Sequence, residues 1–294
     1  MSIGSIVLKF LPVDEFKRIR KLYHKFKWLW YPKLSEEKFK LILTQDLGVR
    51  EGSVVFIHSA IDNLNLDFPF YRVLPLLLET IGKEGTLVFP CWQLTERAEE
   101  YLKRKDALFD VKKTPTVLGI IPEFARRYPN AQRSLHPTSS VVAIGKYATE
   151  ITKDHILSEL PCDENSPLYK LIKYNSVIIG LGVSTYNLSF VHCIEDSMKK
   201  KFPIKTLTDE VFETRVRNKN GEIVIVKTKA AHVQIKHRNI QKYIKENIPP
   251  EICKDLYIHG AKYFTAKPKE LFEKMGILAD KGITIYTQEA TLIN

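Results

Sequence analysis

The stretch SVIIGLGVSTYNLSFVHCIEDS, residues 176–197, combines the two patterns on which the fold prediction rests. Its first part, SVIIGLGV, is a run of apolar and small residues, typical of a strand that is buried on both faces. The segment that follows changes to helical spacing and brings His192, Glu195 and Asp196 close together. The stretch therefore predicts a buried strand and then a helix with polar residues at its start.

The same alternation of strand and helix recurs upstream of this stretch. Strands are predicted over SVVFIH (53–58), TLVFP (86–90) and VVAIG (141–145). Helices are predicted over 35–48, where Ser35 can cap the first turn, over 70–81 and around 117–128, with a long polar loop over 91–115. Strands that alternate with helices favour an α/β fold with a central, mostly parallel sheet flanked by helices.

The segment EVFETRVRNKNGEIVIVKTK (210–229) has a different pattern. Two alternating runs flank the pair Asn220 and Gly221, and Asn-Gly is the strongest short signal for a β-hairpin. We therefore predict an antiparallel hairpin insertion or sheet edge. The simplest organisation is an N-terminal extension over 1–34 and a single α/β domain over 35–294.

The composition is that of an ordinary globular protein, with 44% hydrophobic and 27% charged residues among 294. No apolar run reaches the length of a membrane span, and no signal-peptide pattern opens the chain, so a cytoplasmic location is expected. The cysteines, Cys91, Cys162, Cys193 and Cys253, are widely separated and form no CxxC pair. Free thiols are therefore expected, and no metal site is predicted.

The N-terminal extension holds much of the formal net charge of +11, since residues 1–33 contain eight Lys or Arg and two acidic residues. Apolar residues recur at helical spacing over 14–31, which predicts a basic amphipathic helix. We expect this helix to pack on its own domain or on a second copy of the chain. Peripheral contact with the inner face of the membrane is the open alternative. Nucleic acid is not an expected partner because no recognised motif accompanies the charge.

Three histidines, His58, His136 and His192, fall near strand ends, where sites in open α/β sheets usually lie. His192 has the most suggestive neighbours, because Glu195 and Asp196 follow three and four residues later and can share its helix face. A carboxylate beside an imidazole orients the ring and stabilises its protonated form, as a general base requires. Spacing alone does not decide between two interpretations of His192, a general base and an ordinary residue on a solvated helix surface.

Other catalytic patterns fit less well. The GLG at 180–182 lacks the third glycine of a dinucleotide-binding loop and more simply indicates a turn at the end of a strand. No GxSxG elbow occurs, so a Ser-His-Asp hydrolase lacks its usual nucleophile turn. Cys193 points about 100 degrees around the helix from His192, and we interpret it as a buried structural thiol.

Ordered blocks over roughly residues 36–200 carry a family resemblance. They are LGVREGSVVFIHSA (47–60), GTLVFP (85–90), FDVKKTPTVLGIIPEFAR (109–126), RSLHPTSSVVAIG (133–145), SPLYKL (166–171) and GLGVSTYNLSFVHCIE (180–195). On these blocks the sequence resembles the aminoglycoside 3-N-acetyltransferases, antibiotic N-acetyltransferases whose fold differs from the GNAT type. The most specific block, RSLHPTSSVVAIG, fills every fixed position of the family pattern RSxHPxxSxxAxG.

The resemblance implies direct transfer of an acetyl group from acetyl-CoA, as co-substrate, to an amine, with His192 as the base and Glu195 as its orienting carboxylate. It implies that acetyl-CoA is bound by strand-end and loop residues: His58, Ser59, Thr114, Arg133, Ser134, His136 and Ser140. For Arg133, a salt bridge that fixes its loop is the alternative. His155 is left outside the predicted site, and Asp196 is expected to be a solvated neighbour of the base.

The acceptor follows less directly from the sequence. Ala60 replaces the second serine of the family's VHSS, and the loop over 91–115 mixes acidic with basic residues. A basic chain fits an anionic acceptor better than a polycationic one, so the preferred hypothesis is a nucleotide- or lipid-linked amino sugar in polysaccharide or secondary-metabolite biosynthesis. Aminoglycoside resistance is the alternative. A catalytically silent binding or scaffold protein is the alternative of another class.

Overall fold

A computed structural model of the chain describes residues 15, 19, 26–232, 235 and 237–287. The basic helix predicted over 14–31 falls largely outside these residues, and it stays a prediction. The helices are α1 (Glu36–Leu41), α2 (Val73–Ile81), α3 (Ala98–Leu102), α4 (Ile120–Arg126), α5 (Ala148–Thr152), α6 (Pro167–Lys170), α7 (His192–Met198), α8 (Ile240–Asn247) and α9 (Pro268–Ala279). The strands are β1 (Val54–Ser59), β2 (Thr86–Pro90), β3 (Leu108–Asp110), β4 (Gln132–Arg133), β5 (Val141–Gly145), β6 (Ser176–Leu181), β7 (Leu207–Arg217), β8 (Ile223–Ala231), β9 (Cys253–Ile258) and β10 (Ala261–Ala266).

A mixed sheet forms the centre of the described part of the chain, with the strand order β4-β5-β2-β1-β6-β10-β9. Strand β1 runs parallel to β2 and β6, whereas the outer strands pair antiparallel with their neighbours. The central strands are buried along almost their whole length, which explains their continuous apolar runs. The predicted α/β fold is confirmed, and the parallel pairing is concentrated in the middle of the sheet.

Helices cover both faces of this sheet. Val54 and Phe56 of β1 belong to one buried cluster, whereas Val55 and Ile57 belong to another, because successive side chains of a strand point to opposite faces. The first cluster packs α7, α8 and α9 against the sheet, and the second packs α1, α2 and α4. Within the described residues, no helix is both long and apolar enough to cross a membrane.

The predicted hairpin is confirmed and belongs to a second, smaller sheet. Strands β7 and β8 pair antiparallel, and Gly221 in the connecting turn has φ +89°. Strand β3 pairs parallel with β7, which completes the order β3-β7-β8.

The polar loop predicted over 91–115 is wrong in part, because it contains α3 and β3. Tyr101 and Leu102 of α3 are buried in a cluster with Phe212 of β7. The three residues of β3 form a strand because β7, about a hundred residues later, supplies their backbone partners. Such a short strand has no periodicity of its own that could predict it.

Local signals account for the start of two predicted helices. The Ser35 side chain accepts a hydrogen bond from the Lys38 N–H and caps α1, as predicted, and a π-helical turn over Ile42–Asp46 continues the helix. The helix expected around 117–128 begins only at Ile120, because Gly119 at φ +109° lies outside the helical region.

Two glycines shape the end of β6. A Cβ atom on Gly180 would lie 2.1 Å from a ring carbon of Phe264, and one on Gly182 would lie 2.3 Å from the carbonyl oxygen of Ala60. Gly182 also has φ +74°, a conformation that glycine adopts without strain. The predicted strand-end turn is confirmed, and it directs the chain towards His192.

Candidate active site

His192 and Glu195 form a hydrogen-bonded pair at the start of α7. A 3-10 turn over Ser189–Val191 leads into the helix, so the two side chains, three residues apart, meet on one face. His192 Nδ1 lies 2.9 Å from Glu195 Oε2. The Glu195 side chain is 3% exposed and that of His192 is 24% exposed. A carboxylate only accepts hydrogen bonds, so Nδ1–H is the donor and Nε2 is left as the accepting atom.

A cavity of about 430 Å³ lies beside this pair, at the carboxyl ends of β1 and β6. This is the position expected for a site in an α/β sheet. Four of the predicted site residues line it, His58, Ser59, His192 and Glu195. Residues from the loop after β6, the turn before α7 and the end of β8 complete the wall, among them Tyr186, Ser189 and Ala231.

His58 is a buried, neutral member of the cavity wall. Its ring packs between Phe56 and Phe264, at centroid distances of 5.1 and 5.9 Å. Burial lowers the pKa of His58 to about 3. Its Nε2 lies 3.4 Å from the Ser189 hydroxyl. The His58 ring is therefore neutral at physiological pH and can donate one hydrogen bond and accept another. It is too weak a base to take up a proton at that pH.

Asp196 is buried, contrary to the prediction of a solvated neighbour. The residue is 3% exposed, and its Oδ2 accepts a hydrogen bond of 2.6 Å from the Cys162 N–H. Burial raises the pKa of the Asp196 carboxyl well above its usual range. The spacing of residues along a helix predicts which of them share a face, but not whether other parts of the chain cover that face. The prediction that Asp196 is solvated was wrong for this reason. The cavity therefore has a second carboxyl group beside the pair.

Arg133, Ser140 and Thr114 lie outside the cavity lining and hold loops together. The Arg133 guanidinium donates to the carbonyl oxygens of Cys91 and Thr114 and to the Ser140 hydroxyl, over the face of the Phe109 ring. The Thr114 hydroxyl accepts from the Asp110 N–H. The geometry does not bring these three residues to the cavity, because internal partners already engage their polar atoms. Arg133 does fix its loop, but through carbonyl groups instead of the salt bridge considered as the alternative.

Ser134 and His136 also lie outside the cavity, in a buried polar network. The Ser134 hydroxyl lies 2.8 Å from His155 Nδ1, and the His136 and His155 rings stack at 4.5 Å. His136 Nε2 lies 3.1 Å from the Thr228 hydroxyl, which ties the loop to β8. Burial lowers the pKa of His136 to about 3. From this loop, Thr138 and Ser139 line the cavity instead.

Tyr286 is a site residue that the sequence did not reveal. Its hydroxyl donates a 3.0 Å hydrogen bond to Glu195 Oε1, across a separation of 91 residues. No local pattern around Tyr286 indicates this contact, so only the tertiary structure could find it.

Among the described residues, no group of three or more His, Cys, Asp or Glu side chains could hold a metal ion. All four cysteines are free, as expected, and all four are buried. Cys193 is fully buried beside Cys162, which supports its interpretation as a structural thiol.

Comparisons with known proteins agree with this geometry. A family model described as aminoglycoside 3-N-acetyltransferase matches residues 56–275. The SPbeta prophage-derived aminoglycoside N(3')-acetyltransferase-like protein YokD of Bacillus subtilis is 30% identical over 175 residues, which cover 53% of this chain and 64% of that protein. The match thus spans less than two thirds of the relative's length.

Solved structures share the fold over most of the chain. The aminoglycoside acetyltransferase AAC(3)-Xa superposes with a TM-score of 0.74 at 18% identity and covers 90% of this chain and 99% of its own. The binary complex of AAC-IIIb with CoASH superposes with a TM-score of 0.70 at 20% identity, over 87% of this chain and 100% of its own. These likenesses confirm the predicted non-GNAT fold. Because the family model covers most of the chain, this protein belongs to the aminoglycoside 3-N-acetyltransferase family.

Proposed function

We propose that the chain transfers an acetyl group from acetyl-CoA to an amine of an amino sugar of the aminoglycoside type. The observation that carries the proposal is the His192–Glu195 pair, hydrogen-bonded at 2.9 Å and opening on a cavity at the end of the parallel strands. Membership of the family supports the reaction type, and the complex of AAC-IIIb with CoASH supports the choice of co-substrate.

The pair is arranged for general-base catalysis. Glu195 holds the Nδ1–H of His192, so Nε2 is free to take a proton from the attacking amine. As the amine nitrogen bonds to the thioester carbonyl carbon, the carbon–sulfur bond breaks and CoA leaves as a thiolate. The proton on His192 Nε2 then passes to the sulfur, so the products are the amide and free CoA. Glu195 stabilises the intermediate imidazolium through its charge.

His58 and Ser59 fit a supporting role at the acyl centre. Both line the cavity at the end of β1, and the Ser189 hydroxyl lies 3.4 Å from His58 Nε2. Negative charge develops on the thioester oxygen during attack, and hydrogen-bond donors on the cavity wall stabilise it. The Ser59 hydroxyl and the neutral His58 ring are the donors that we assign to this task.

An acceptor of the aminoglycoside type was the alternative hypothesis from the sequence, which favoured a nucleotide- or lipid-linked amino sugar. The adjoining cleft, of about 1110 Å³, is lined by five lysines and six acidic residues, so its lining does not favour an anionic acceptor. Glu195 and Asp196 lie where this cleft meets the catalytic cavity and can attract an ammonium group. YokD and AAC(3)-Xa, named for aminoglycoside acetylation, support the same choice. No observation supports a nucleotide- or lipid-linked sugar.

The test is to mix the purified protein with acetyl-CoA and a panel of aminoglycosides, simple amino sugars and nucleotide-linked amino sugars while following free thiol release. We expect release with aminoglycosides. His192→Ala should lower kcat/KM by about 100-fold or more, the usual range for losing a general base. His259→Asn, in the turn between β9 and β10 and outside the cavity lining, is the matched control and should keep activity.

Two results would overturn the proposal. Release with nucleotide-linked sugars alone would restore the biosynthetic hypothesis, whereas no release with any amine would favour the silent binding or scaffold protein. Full activity of His192→Ala would remove the histidine from its assigned role.

A further inference from the structure

Both oxygens of the Glu195 carboxylate are engaged by side chains. Oε2 accepts from His192 Nδ1 at 2.9 Å, and Oε1 accepts from the Tyr286 hydroxyl at 3.0 Å. The carboxylate is almost fully buried, so it has little water to replace either donor. A carboxylate held at both oxygens cannot rotate about its terminal bond without losing a hydrogen bond.

Tyr286 is itself fixed by the chain around it. Its backbone forms an antiparallel bridge with Arg238, and the Asn239 N–H donates to the Ile285 carbonyl at 2.8 Å. The Thr287 N–H donates to the His237 carbonyl at 2.9 Å. The Tyr286 ring packs edge-on against Phe202, with a centroid distance of 6.3 Å. These contacts anchor the tyrosine at the Glu195 oxygen that His192 does not contact.

The protonation of Tyr286 suits a permanent donor. Burial, and then the neighbouring Glu195 carboxylate, raise the pKa of Tyr286 above its usual range. The phenol therefore stays protonated at any pH at which the enzyme would work, and it can donate its hydrogen to Glu195 Oε1.

We propose that Tyr286 is a positioning residue, which holds Glu195 and through it the base His192 in the orientation for proton transfer. The segment that carries it, 284–287, lies beyond the region that the family model matches, residues 56–275. The inference rests on the proposed function for its kinetic consequence, but the three-residue hydrogen-bonded chain stands on the geometry alone.

The pH dependence has a definite sign. The titratable groups that face Glu195 are His192, Asp196, Cys162, Cys193 and Tyr286, and the charged Arg238 acts on Tyr286. Removing the phenol leaves the buried carboxylate with one donor fewer. Glu195 then either takes up a proton more readily or holds the protonated His192 more tightly. Both changes reduce the population of the working base at low pH, so the acid limb of the kcat/KM profile should move to higher pH.

Tyr286→Phe is the test, because it deletes one hydroxyl and keeps the ring. A hydrogen bond to a charged group contributes about one to two factors of ten, so we expect kcat to fall roughly tenfold and the acid limb to rise by about one pH unit. The KM for acetyl-CoA should be unchanged. Tyr263→Phe is the matched control, since the buried Tyr263 hydroxyl has no hydrogen-bond partner among the described residues.

A readout without turnover separates this inference from the proposed function. The ¹⁵N chemical shifts of the His192 ring report its tautomer, and we expect the Nδ1–H form in the wild type and a mixture of tautomers in Tyr286→Phe. An unchanged tautomer together with an unchanged pH profile would overturn the role of Tyr286. Absence of thiol release by the wild type would overturn only the proposed function.

Discussion

Asp196 holds a buried carboxyl group that no Lys or Arg side chain pairs with in the described part of the chain. One oxygen accepts from the Cys162 N–H, and the residue faces both the cavity and the adjoining cleft. Burying an unpaired charge is costly, which is why the pKa of this group is raised. An ammonium group entering the cavity would favour the charged form, so Asp196 is suited to bind the acceptor.

Asp196→Asn should therefore raise the KM for the amine about tenfold, with a smaller change in the KM for acetyl-CoA. It should also increase the free energy of unfolding at pH 7. The pKa of Asp196 is higher in the folded chain than its value of about 3.9 in the unfolded chain, so this group lowers the free energy of unfolding as pH rises above about 3.9. Steady-state kinetics and urea unfolding measure both effects. Asp67→Asn, an exposed position outside the cavity, is the control, and equal KM values in both variants would remove Asp196 from acceptor binding.

At the scale of single residues, the sequence predicted the pair but not its surroundings. His192 and Glu195 are three apart on one helix, so spacing and motif sufficed to predict their contact. Asp196 was misjudged because its cover comes from the loop that contains Cys162, and Tyr286 was missed because it reaches Glu195 from 91 residues away. Burial and long-range contacts are properties of the folded chain that a local pattern does not contain.

At the scale of secondary-structure elements, Arg133 in β4 links three segments of the chain through hydrogen bonds. Its guanidinium donates hydrogen bonds to the Cys91 carbonyl after β2, to the Thr114 carbonyl after β3 and to the Ser140 hydroxyl before β5. Burial lowers the pKa of Arg133 to about 10, so the group remains charged at neutral pH. Removing it would take the guanidinium donor away from the Thr114 carbonyl and leave the Cys91 carbonyl with the Ser140 hydroxyl.

Arg133→Met, which keeps most of the length but no donor, should lower the free energy of unfolding by about 2–4 kcal/mol. Urea unfolding measures the loss. The control is Arg127→Met, whose side chain is 70% exposed and pairs with Glu123, and which should change stability by less than about 1 kcal/mol. An unchanged stability with a raised KM for acetyl-CoA would instead support the contact with acetyl-CoA that the family resemblance implied.

The elements differ in how much of them a sequence can predict. TLVFP and VVAIG were predicted with the bounds of β2 and β5, because a buried strand needs a continuous apolar run. Strand β3 was not predicted, since its three residues are a strand only in the presence of β7. The antiparallel direction of β5 was also not predictable, because apolar runs carry no information on strand direction.

On the scale of the whole molecule, three buried histidines lie at two places, one in the cavity wall and two between the 133–140 loop and the small sheet. His58 lies in the cavity wall, and His136 and His155 stack on each other beneath the loop, where His136 also meets Thr228 of β8. Burial lowers the pKa of all three, to about 3 for His58 and His136. The folded chain must keep these rings neutral.

This requirement predicts a loss of stability at mildly acid pH. The folded-state pKa of each ring is below the unfolded value of about 6.5, so between the two values the unfolded chain binds more protons and stability falls as pH falls. Three such groups should lower the free energy of unfolding by roughly 3 kcal/mol between pH 6.5 and 5.5, and Asp196, whose raised pKa acts in the opposite direction, offsets part of this loss. Carboxylates with a lowered pKa, such as Glu123 at about 2, contribute only at more acid pH. Urea unfolding at the two pH values measures the loss, and His136→Gln, which removes one of the three rings, should reduce it by about 1 kcal/mol. An equal loss in His136→Gln and in the wild type would show that the His136 ring accepts a proton without unfolding the chain.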